Sequence, residues 1–154
     1  MQTLRVAGPR DLDLPTAYAL LALRVAVFVV EQECPYQELD GRDLERGTRH
    51  LWLAGEDSTP TAYLRLLEDD DAVRIGRVLT HPDHRGAGLA GRLMDAALEE
   101  IGSRDCVLDA QAQLVDWYRD WGFRPSGRGF VEDGIPHVPM RRDAPRRPGP
   151  AAGA

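Results

Sequence analysis

Lysine is absent from this chain of 154 residues, and all 19 basic residues are arginine. The 25 Asp and Glu residues bring the net charge to −6. Proteins that bind nucleic acid generally concentrate positive charge against phosphate, so this balance argues against that class and favours a cationic partner. The missing lysine also excludes a P-loop, which needs Lys-Ser or Lys-Thr after its glycines.

Cysteine is scarce, with Cys34 and Cys106 far apart in the chain. No C-x-x-C pair and no histidine at zinc-finger spacing accompanies them. The sequence therefore predicts neither a disulfide framework nor a metal site, and reduced thiols in a cytoplasm are the expectation.

Long apolar runs are also few. The N-terminal residues lack the uninterrupted apolar core of a secretory signal. The longest apolar run, LPTAYALLALRVAVFVV at 14–30, is short for a membrane span and contains Arg24. A charge at the centre of a bilayer costs about 2.5 to 3.5 kcal/mol. We therefore expect a buried helix and no membrane association.

The residues that are present predict one α/β domain of the α+β type over 1–143, followed by a disordered tail of Pro, Gly and Ala at 144–154. A first strand precedes a helix that has Asp13 as N-cap and Pro15 in its first turn. Three strands with short polar connections form an antiparallel meander. The later elements are a helix at 90–101, a strand at 106–110, a helix that stops at Gly122, and a closing hairpin.

The stretch GAGLAG at 86–91 matches the dinucleotide-binding pattern G-x-G-x-x-G. Asp109 stands about where that pattern requires an acidic residue to bind the ribose. The residues HPDHR separate the glycines from the strand, however, and that strand belongs to an antiparallel meander. NAD binding is therefore disfavoured. The glycines still suit an anion at a helix start, and close helix–strand packing without a ligand remains the alternative.

Two motifs resemble those of the GNAT superfamily of acyl-CoA-dependent N-acetyltransferases. Arg85-Gly86-Ala87-Gly88-Leu89-Ala90 fits the family loop, and Tyr118 followed by Gly122-Phe123 fits its later helix. The segments LRVAVFVVEQECPYQELDGRDL and EDGIPHVPM also look like the ElaA-like branch. The resemblance covers nearly everything except the tail.

The resemblance implies a mixed, mainly antiparallel sheet that is splayed at its centre and flanked by helices. It implies that the strand ending at Thr80 bulges and parts from the strand at 106–110, and that acetyl-CoA lies in the gap. The cosubstrate would be bound by Val78, Leu79, Thr80, Arg85, Gly86, Ala87, Gly88, Leu89, Ala90 and Gln111.

The activity implied is transfer of an acetyl group from acetyl-CoA to a primary amine, on a small molecule or a peptide, by direct attack in a ternary complex. Tyr118 would meet the departing thiolate; without the resemblance it would be interpreted as helix-face packing. A non-catalytic domain that binds acyl-CoA is the alternative. The sequence leaves the oligomeric state open, a homodimer included.

The general base and the acceptor site are less defined. The candidate bases are Glu31, Glu33, Glu38, Asp40, His50, Glu132 and His137, with Glu31 preferred. The residues expected to contact the substrate are Phe28, Glu31, Glu33, Tyr36 and His137. Several of them lie in the acidic loop EQECPYQELDGRDLERG at 31–47. This loop would attract a cationic substrate, although such a charge run is often only a solvated face.

Overall fold

A computed structural model of the chain describes residues 1–145. The strands within them are β1 (Thr3–Ala7), β2 (Arg49–Ala54), β3 (Pro60–Glu68), β4 (Val73–Thr80), β5 (Cys106–Gln111), β6 (Arg124–Pro125), β7 (Phe130–Glu132) and β8 (Ile135–Arg142). The α-helices are α1 (Leu14–Val25), α2 (Leu89–Ile101) and α3 (Val115–Arg119). Most of the predicted tail at 144–154 lies outside the described residues, so its disorder stays a prediction.

The strands form one sheet in the order β1-β2-β3-β4-β5-β8-β6, and β7 pairs with β8 outside this row. All pairs are antiparallel except β4 and β5, which run parallel because α2 crosses over between them. The expected mixed, mainly antiparallel sheet is therefore confirmed. The meander of β2, β3 and β4 and the closing hairpin of β7 and β8 are present as well.

Helices cover both faces of this sheet, because successive residues along a strand contribute to the core on opposite faces. Leu64 of β3 belongs to the cluster under α2, where Leu93, Ala97 and Ile101 are buried. Tyr63, the preceding residue, belongs to the cluster under α1. Successive side chains of a strand point to opposite faces, and full burial of a leucine stabilises by about 1.5 to 3 kcal/mol. The two clusters therefore hold the helices on opposite sides.

The first helix begins as predicted, because the Asp13 carboxylate accepts a hydrogen bond from the Thr16 N–H at 2.8 Å. It does not end as an α-helix, since a π-helical turn continues it over Ala26–Glu31. Such a turn holds an extra residue, so it changes the direction of the side chains that follow. It places Phe28 in the cavity described below.

By length and composition alone, the joined segment Leu14–Glu31 could cross a membrane. In the structure this segment packs on the sheet, and Arg24 at its middle is fully buried and ion-paired. The predicted buried helix is buried on one face only, since Leu14, Tyr18 and Val30 are exposed on the other.

Candidate active site

Strands β4 and β5 pair at only two positions, Val73 with Cys106 and Arg74 with Val107. Beyond these pairs the strands diverge, as expected. A bulge in β4 accompanies the divergence: the β3–β4 register shifts, and Arg77 adopts a φ of +55°. The sheet is therefore open at its centre.

A cavity of about 540 Å³ occupies this opening. It is lined by most of the residues expected from the sequence to form the site, which are Phe28, Tyr36, Val78, Leu79, Thr80, Arg85, Gln111, Tyr118 and His137. Glu31 and Glu33 lie outside the lining, and Gly86–Ala90 lie at the start of α2.

Where β4 has parted from β5, the backbone groups of Val78 and Thr80 point into the gap. The N–H of His81 donates to the Thr61 carbonyl of β3 at 2.7 Å. Neighbouring residues of a strand direct their backbone groups to opposite sides, so Thr80 and Val78 direct theirs toward β5. The Thr80 carbonyl accepts a hydrogen bond from the Arg85 Nε at 3.2 Å.

The glycine loop before α2 is open to solvent. Gly86 and Gly88 have φ values of +83° and +73°, and a Cβ on either would meet nothing within 4 Å. Within residues 1–145, the N–H groups of Gly86 and Gly88 have no hydrogen-bond acceptor. Free N–H groups at the start of a helix are favourable to an anion.

Arg85 joins this loop to the end of the π-helical turn. Its guanidinium donates to both carboxylate oxygens of Glu31, each at 2.6 Å. These hydrogen bonds hold the pKa of Glu31 below its usual value. Glu31 was the preferred base, but a carboxylate that is bound in this way and lies outside the cavity lining is poorly placed to take a proton there.

Tyr118 projects from α3 into the core at the cavity wall, with 6% of its surface exposed. Burial raises its pKa to about 12. Trp117 and Phe123 pack edge-on against its ring, with centroids at 4.9 and 6.3 Å. No group in the described part of the chain accepts a hydrogen bond from its hydroxyl, so the phenol is packed in place with its donor free.

The acidic loop meets a group of arginines beside the cavity. The members of this network are Arg24, Arg65, Arg77, Glu38, Asp40 and Asp43. Arg24 contacts Glu38 at 2.7 Å and Asp43 at 2.6 Å. Hydrogen bonds from Arg65 hold the pKa of Asp40 far below its usual range. These three carboxylates are therefore engaged by arginines and are not free to attract a cationic substrate.

His50 is structural rather than catalytic. Its Nε2 lies 3.1 Å from the Asp43 carbonyl, and its Nδ1 lies 2.6 Å from the Tyr63 hydroxyl. A carbonyl only accepts, so Nε2 carries the proton and Nδ1 accepts from Tyr63. Burial lowers the pKa of His50, and both of its nitrogens are occupied.

The comparison with known proteins agrees with this geometry. A family model described as an acetyltransferase (GNAT) domain matches residues 17–144. The chain belongs to the GNAT acetyltransferase family.

Individual GNAT relatives match over nearly the whole chain. A UPF0039 protein of Mycobacterium tuberculosis is 51% identical over 145 residues, which is 92% of this chain and 93% of the relative. An acyl-CoA N-acyltransferase structure from Pseudomonas aeruginosa has a TM-score of 0.89 at 42% identity, covering 92% of this chain and 99% of that one. Escherichia coli ElaA has a TM-score of 0.87 at 39% identity, covering 93% and 100%. The resemblance to the ElaA-like branch is confirmed.

Within this GNAT domain, the third glycine of GAGLAG and Asp109 have structural contacts. A Cβ on Gly91 would lie 3.3 Å from the Trp121 ring, so this glycine permits close packing between α2 and α3. The Asp109 carboxylate accepts a hydrogen bond from Arg74 at 3.1 Å. Neither contact suits the dinucleotide interpretation, which was disfavoured from the sequence.

Sequence reasoning missed the arginine network of this GNAT domain. Arg65 and Arg77 carried no motif, and their partners lie 25 and 39 residues away in the chain. One signal was available: Arg24 interrupts an apolar helix, and a buried arginine requires carboxylate partners. The acidic loop that follows the helix supplies them.

Proposed function

We propose that this protein transfers an acetyl group from acetyl-CoA to a primary amine by direct attack. The observation that carries the proposal is the open gap between β4 and β5, which has the exposed glycine loop at the start of α2 and Tyr118 on its wall. Membership of the GNAT family and the likeness to an acyl-CoA N-acyltransferase support it.

The groups around the gap fit acetyl-CoA. The backbone groups that Val78 and Thr80 direct into the gap suit the amides of the pantetheine arm, although the Thr80 carbonyl also accepts from Arg85. The N–H groups from Gly86 to Ala90 suit the diphosphate. The buried Nε of Arg65, another residue that lines the cavity, has no acceptor within residues 1–145. A ligand rich in oxygen acceptors would satisfy it. When bound, acetyl-CoA supplies a thioester as the acetyl donor.

Tyr118 assists departure of the thiolate in this proposal. A pKa of about 12 lies above the ordinary thiol value of about 8.5, so the phenol keeps its proton until much negative charge has developed on sulfur. It therefore acts first as a hydrogen-bond donor and gives up the proton late. Assistance of this kind is typically worth about 10² to 10⁴ in rate.

Direct attack is favoured because the two thiols are poor nucleophiles. Burial raises the pKa of Cys106 to about 12. It also raises the pKa of Cys34, whose thiol donates to the Asp133 carbonyl at 3.2 Å. A thiol is nucleophilic only as a thiolate, so neither residue is suited to carry the acetyl group.

The acceptor is an amine whose identity the proposal leaves open, on a small molecule or a peptide. Glu132 and Asp133 line the cavity. No arginine of the described chain lies within ion-pair distance of them, so their charge favours a cationic substrate. A cytoplasmic location and a homodimeric state stay predictions.

Calorimetry with CoA and turnover assays with a panel of amines test the proposal. We expect CoA binding and turnover of at least one amine, with Tyr118→Phe lowering kcat while CoA affinity is kept. Tyr18→Phe, at an exposed position of α1, is the matched control. Binding of CoA with no turnover of any amine would instead support a non-catalytic domain that binds acyl-CoA, and absence of CoA binding would overturn both functions.

A further inference from the structure

We propose that His137 is the general base that deprotonates the amine. This role rests on the proposed acetyl transfer. The imidazole of His137 lies on the cavity wall. One of its nitrogens is hydrogen-bonded to a backbone carbonyl, and the other is directed away from that carbonyl.

His137 is placed at the open end of the gap by strand pairing. It lies on β8 directly opposite Gln111, the last residue of β5. Strand β4 has already separated from β5 at this level. His137 and Tyr118 both line the cavity, so a base and an acid face the same space from different elements.

The protonation pattern of the ring follows from one contact. His137 Nδ1 lies 2.8 Å from the backbone carbonyl oxygen of Ile135. A carbonyl oxygen only accepts, so Nδ1 carries the proton in the neutral ring and Nε2 carries the lone pair. Within the described residues Nε2 has no hydrogen-bond partner. The backbone therefore selects the tautomer that a base at Nε2 requires.

The orientation of the ring is also restrained. Phe130 of β7 stacks on it with centroids at 5.6 Å and planes at 14°. Both residues belong to the same hairpin and stand opposite each other in its register. The imidazole is therefore held between a backbone hydrogen bond and an aromatic face, as a base positioned before substrate binds should be.

Four of the six other candidate bases are engaged by arginines or other partners. Of the remaining two, Glu33 lies outside the cavity lining, and Glu132 lines the cavity without an ion pair to any described residue. Glu31 binds Arg85, Asp40 binds Arg65, and Asp109 binds Arg74. Glu38 is buried between arginines, and His50 has both nitrogens bonded. The charged groups that line the cavity with His137 are Asp40, Arg65, Arg74, Arg77, Arg85, Asp109, Glu132 and Asp133. Of the carboxylates among them, Glu132 and Asp133 are outside the ion pairs, and both favour a cationic amine next to His137.

His137 and Tyr118 together account for both protons that the substrate nitrogen loses. His137 Nε2 takes one proton from the alkylammonium and leaves a neutral amine. The nitrogen forms its bond to the thioester carbonyl carbon, the C–S bond breaks, and the electron pair leaves with sulfur. Tyr118 donates its proton to that sulfur, and the second proton lost by the nitrogen returns to the Tyr118 oxygen. His137 then releases its proton to water.

A pH series with His137→Gln tests the role, with His84→Gln as control at an exposed position outside the cavity. For an amine that the wild type acetylates, we expect His137→Gln to lower kcat by about 100-fold or more. The decline of kcat toward acid pH should disappear, while CoA affinity stays within about twofold. His84→Gln should match the wild type. A His137→Gln variant within about threefold of the wild type, or the loss of the acid decline in Glu132→Gln instead, overturns the role.

A second measurement does not depend on turnover. Long-range ¹H–¹⁵N spectra of the imidazoles, assigned with the His137→Gln variant, report which nitrogen of His137 carries the proton. The Nδ1–H tautomer is expected with and without CoA, and an Nε2–H tautomer overturns the proposal. If the wild type binds no CoA, the proposed function fails; if it acetylates an amine and His137→Gln does so equally well, only the role of His137 fails.

Discussion

At the scale of single residues, the ion pair between Glu31 and Arg85 has the most direct consequence for ligand binding. Arg85 stands beside the glycine loop, but Glu31 already neutralises its charge through two hydrogen bonds of 2.6 Å. A diphosphate at the loop would therefore meet a carboxylate as well as a guanidinium. Like charges at close range oppose each other, so Glu31 lowers the affinity of the loop for an anion.

Replacing Glu31 with Gln should therefore tighten CoA binding by about two- to fivefold, because it removes the competing negative charge at a partly exposed pair. Arg85→Gln should weaken binding. Titration calorimetry with CoA and without any amine measures both, and Glu33→Gln, at an exposed position two residues away, is the control. Weaker binding by Glu31→Gln would mean that the carboxylate positions Arg85 for the diphosphate and does not compete with it.

At the scale of elements, the start of α2 is the part of the fold on which the proposed cosubstrate site depends. Gly88 is the N-cap of this helix, and its φ of +73° is a conformation that residues with a Cβ rarely adopt. The open space around it means that a methyl group would cause backbone strain but no collision within the protein. The same methyl group would lie where the proposal places the diphosphate.

Gly88→Ala should therefore weaken CoA binding by about tenfold or more while reducing stability only modestly. Gly41→Ala is a matched control, because Gly41 also has a positive φ of +83° and nothing within 4 Å of its Cβ, and it lies in the acidic loop. Thermal unfolding and CoA titration of both variants separate the two effects. Equal losses of CoA affinity in both would show that backbone strain, and not the anion site, is responsible.

The elements of this fold were predictable where local residues determine them. Asp13 caps α1, and Gly122 ends the helical region after α3 with a φ of +86°, both as their positions in the sequence indicate. The π-helical turn at Ala26–Glu31 was not predictable, since no local residue type marks it. The opening of the sheet followed from the family resemblance, because the periodicity of β4 says nothing about its partner.

The candidate site divides in the same way. The glycine loop and Tyr118 were found because their spacing is a family motif, and the cavity brings Tyr118 together with Val78 and His137. The free Nε2 of His137 follows from a local contact with Ile135 that no residue pattern marks. The bound state of Glu31 is the product of a long-range contact. Glu31 meets Arg85 across 54 residues of the chain, a pairing that no pattern in a single sequence specifies.

At the scale of the whole molecule, buried titratable groups make stability depend on pH. Burial lowers the pKa of His50, so the folded protein keeps this ring neutral while an unfolded chain protonates it below about pH 6.5. The unfolded state then binds more protons, and stability falls as the pH drops. The stabilising contribution of His50 is therefore complete above about pH 6.5 and is lost below it. Asp40 and Asp43, whose pKa values are lowered, lose theirs only near and below about pH 4.

His50→Gln should be less stable than the wild type at pH 7.5, but its free energy of unfolding should fall less steeply between about pH 6.5 and 5. One buried histidine contributes a slope of up to about 1.4 kcal/mol per pH unit. Urea unfolding at several pH values gives the difference in free energy of unfolding between the two proteins. The contributions of the exposed histidines cancel in this difference because both proteins contain them. Parallel pH curves for variant and wild type would show that the pKa of His50 is the same in the folded and unfolded states.

Composition also bears on mechanism at this scale, since the chain has no lysine and both of its thiols are buried. The proposed direct attack forms no acetyl-enzyme, and the chain lacks the lysine side chains that acetyl-CoA modifies slowly in other proteins. Intact mass spectrometry after incubation with acetyl-CoA alone should therefore show an unmodified chain, with the α-amino group as the remaining primary amine. Adding an amine substrate should release CoA with no lag and still leave the protein mass unchanged. A covalent mechanism would replace direct attack if the chain became acetylated stoichiometrically at Cys34 or Cys106, as located by proteolysis, and if the substrate amine then removed the acetyl group. The variants Cys34→Ala and Cys106→Ala would identify the thiol, because only the variant that lacks it would lose the modification.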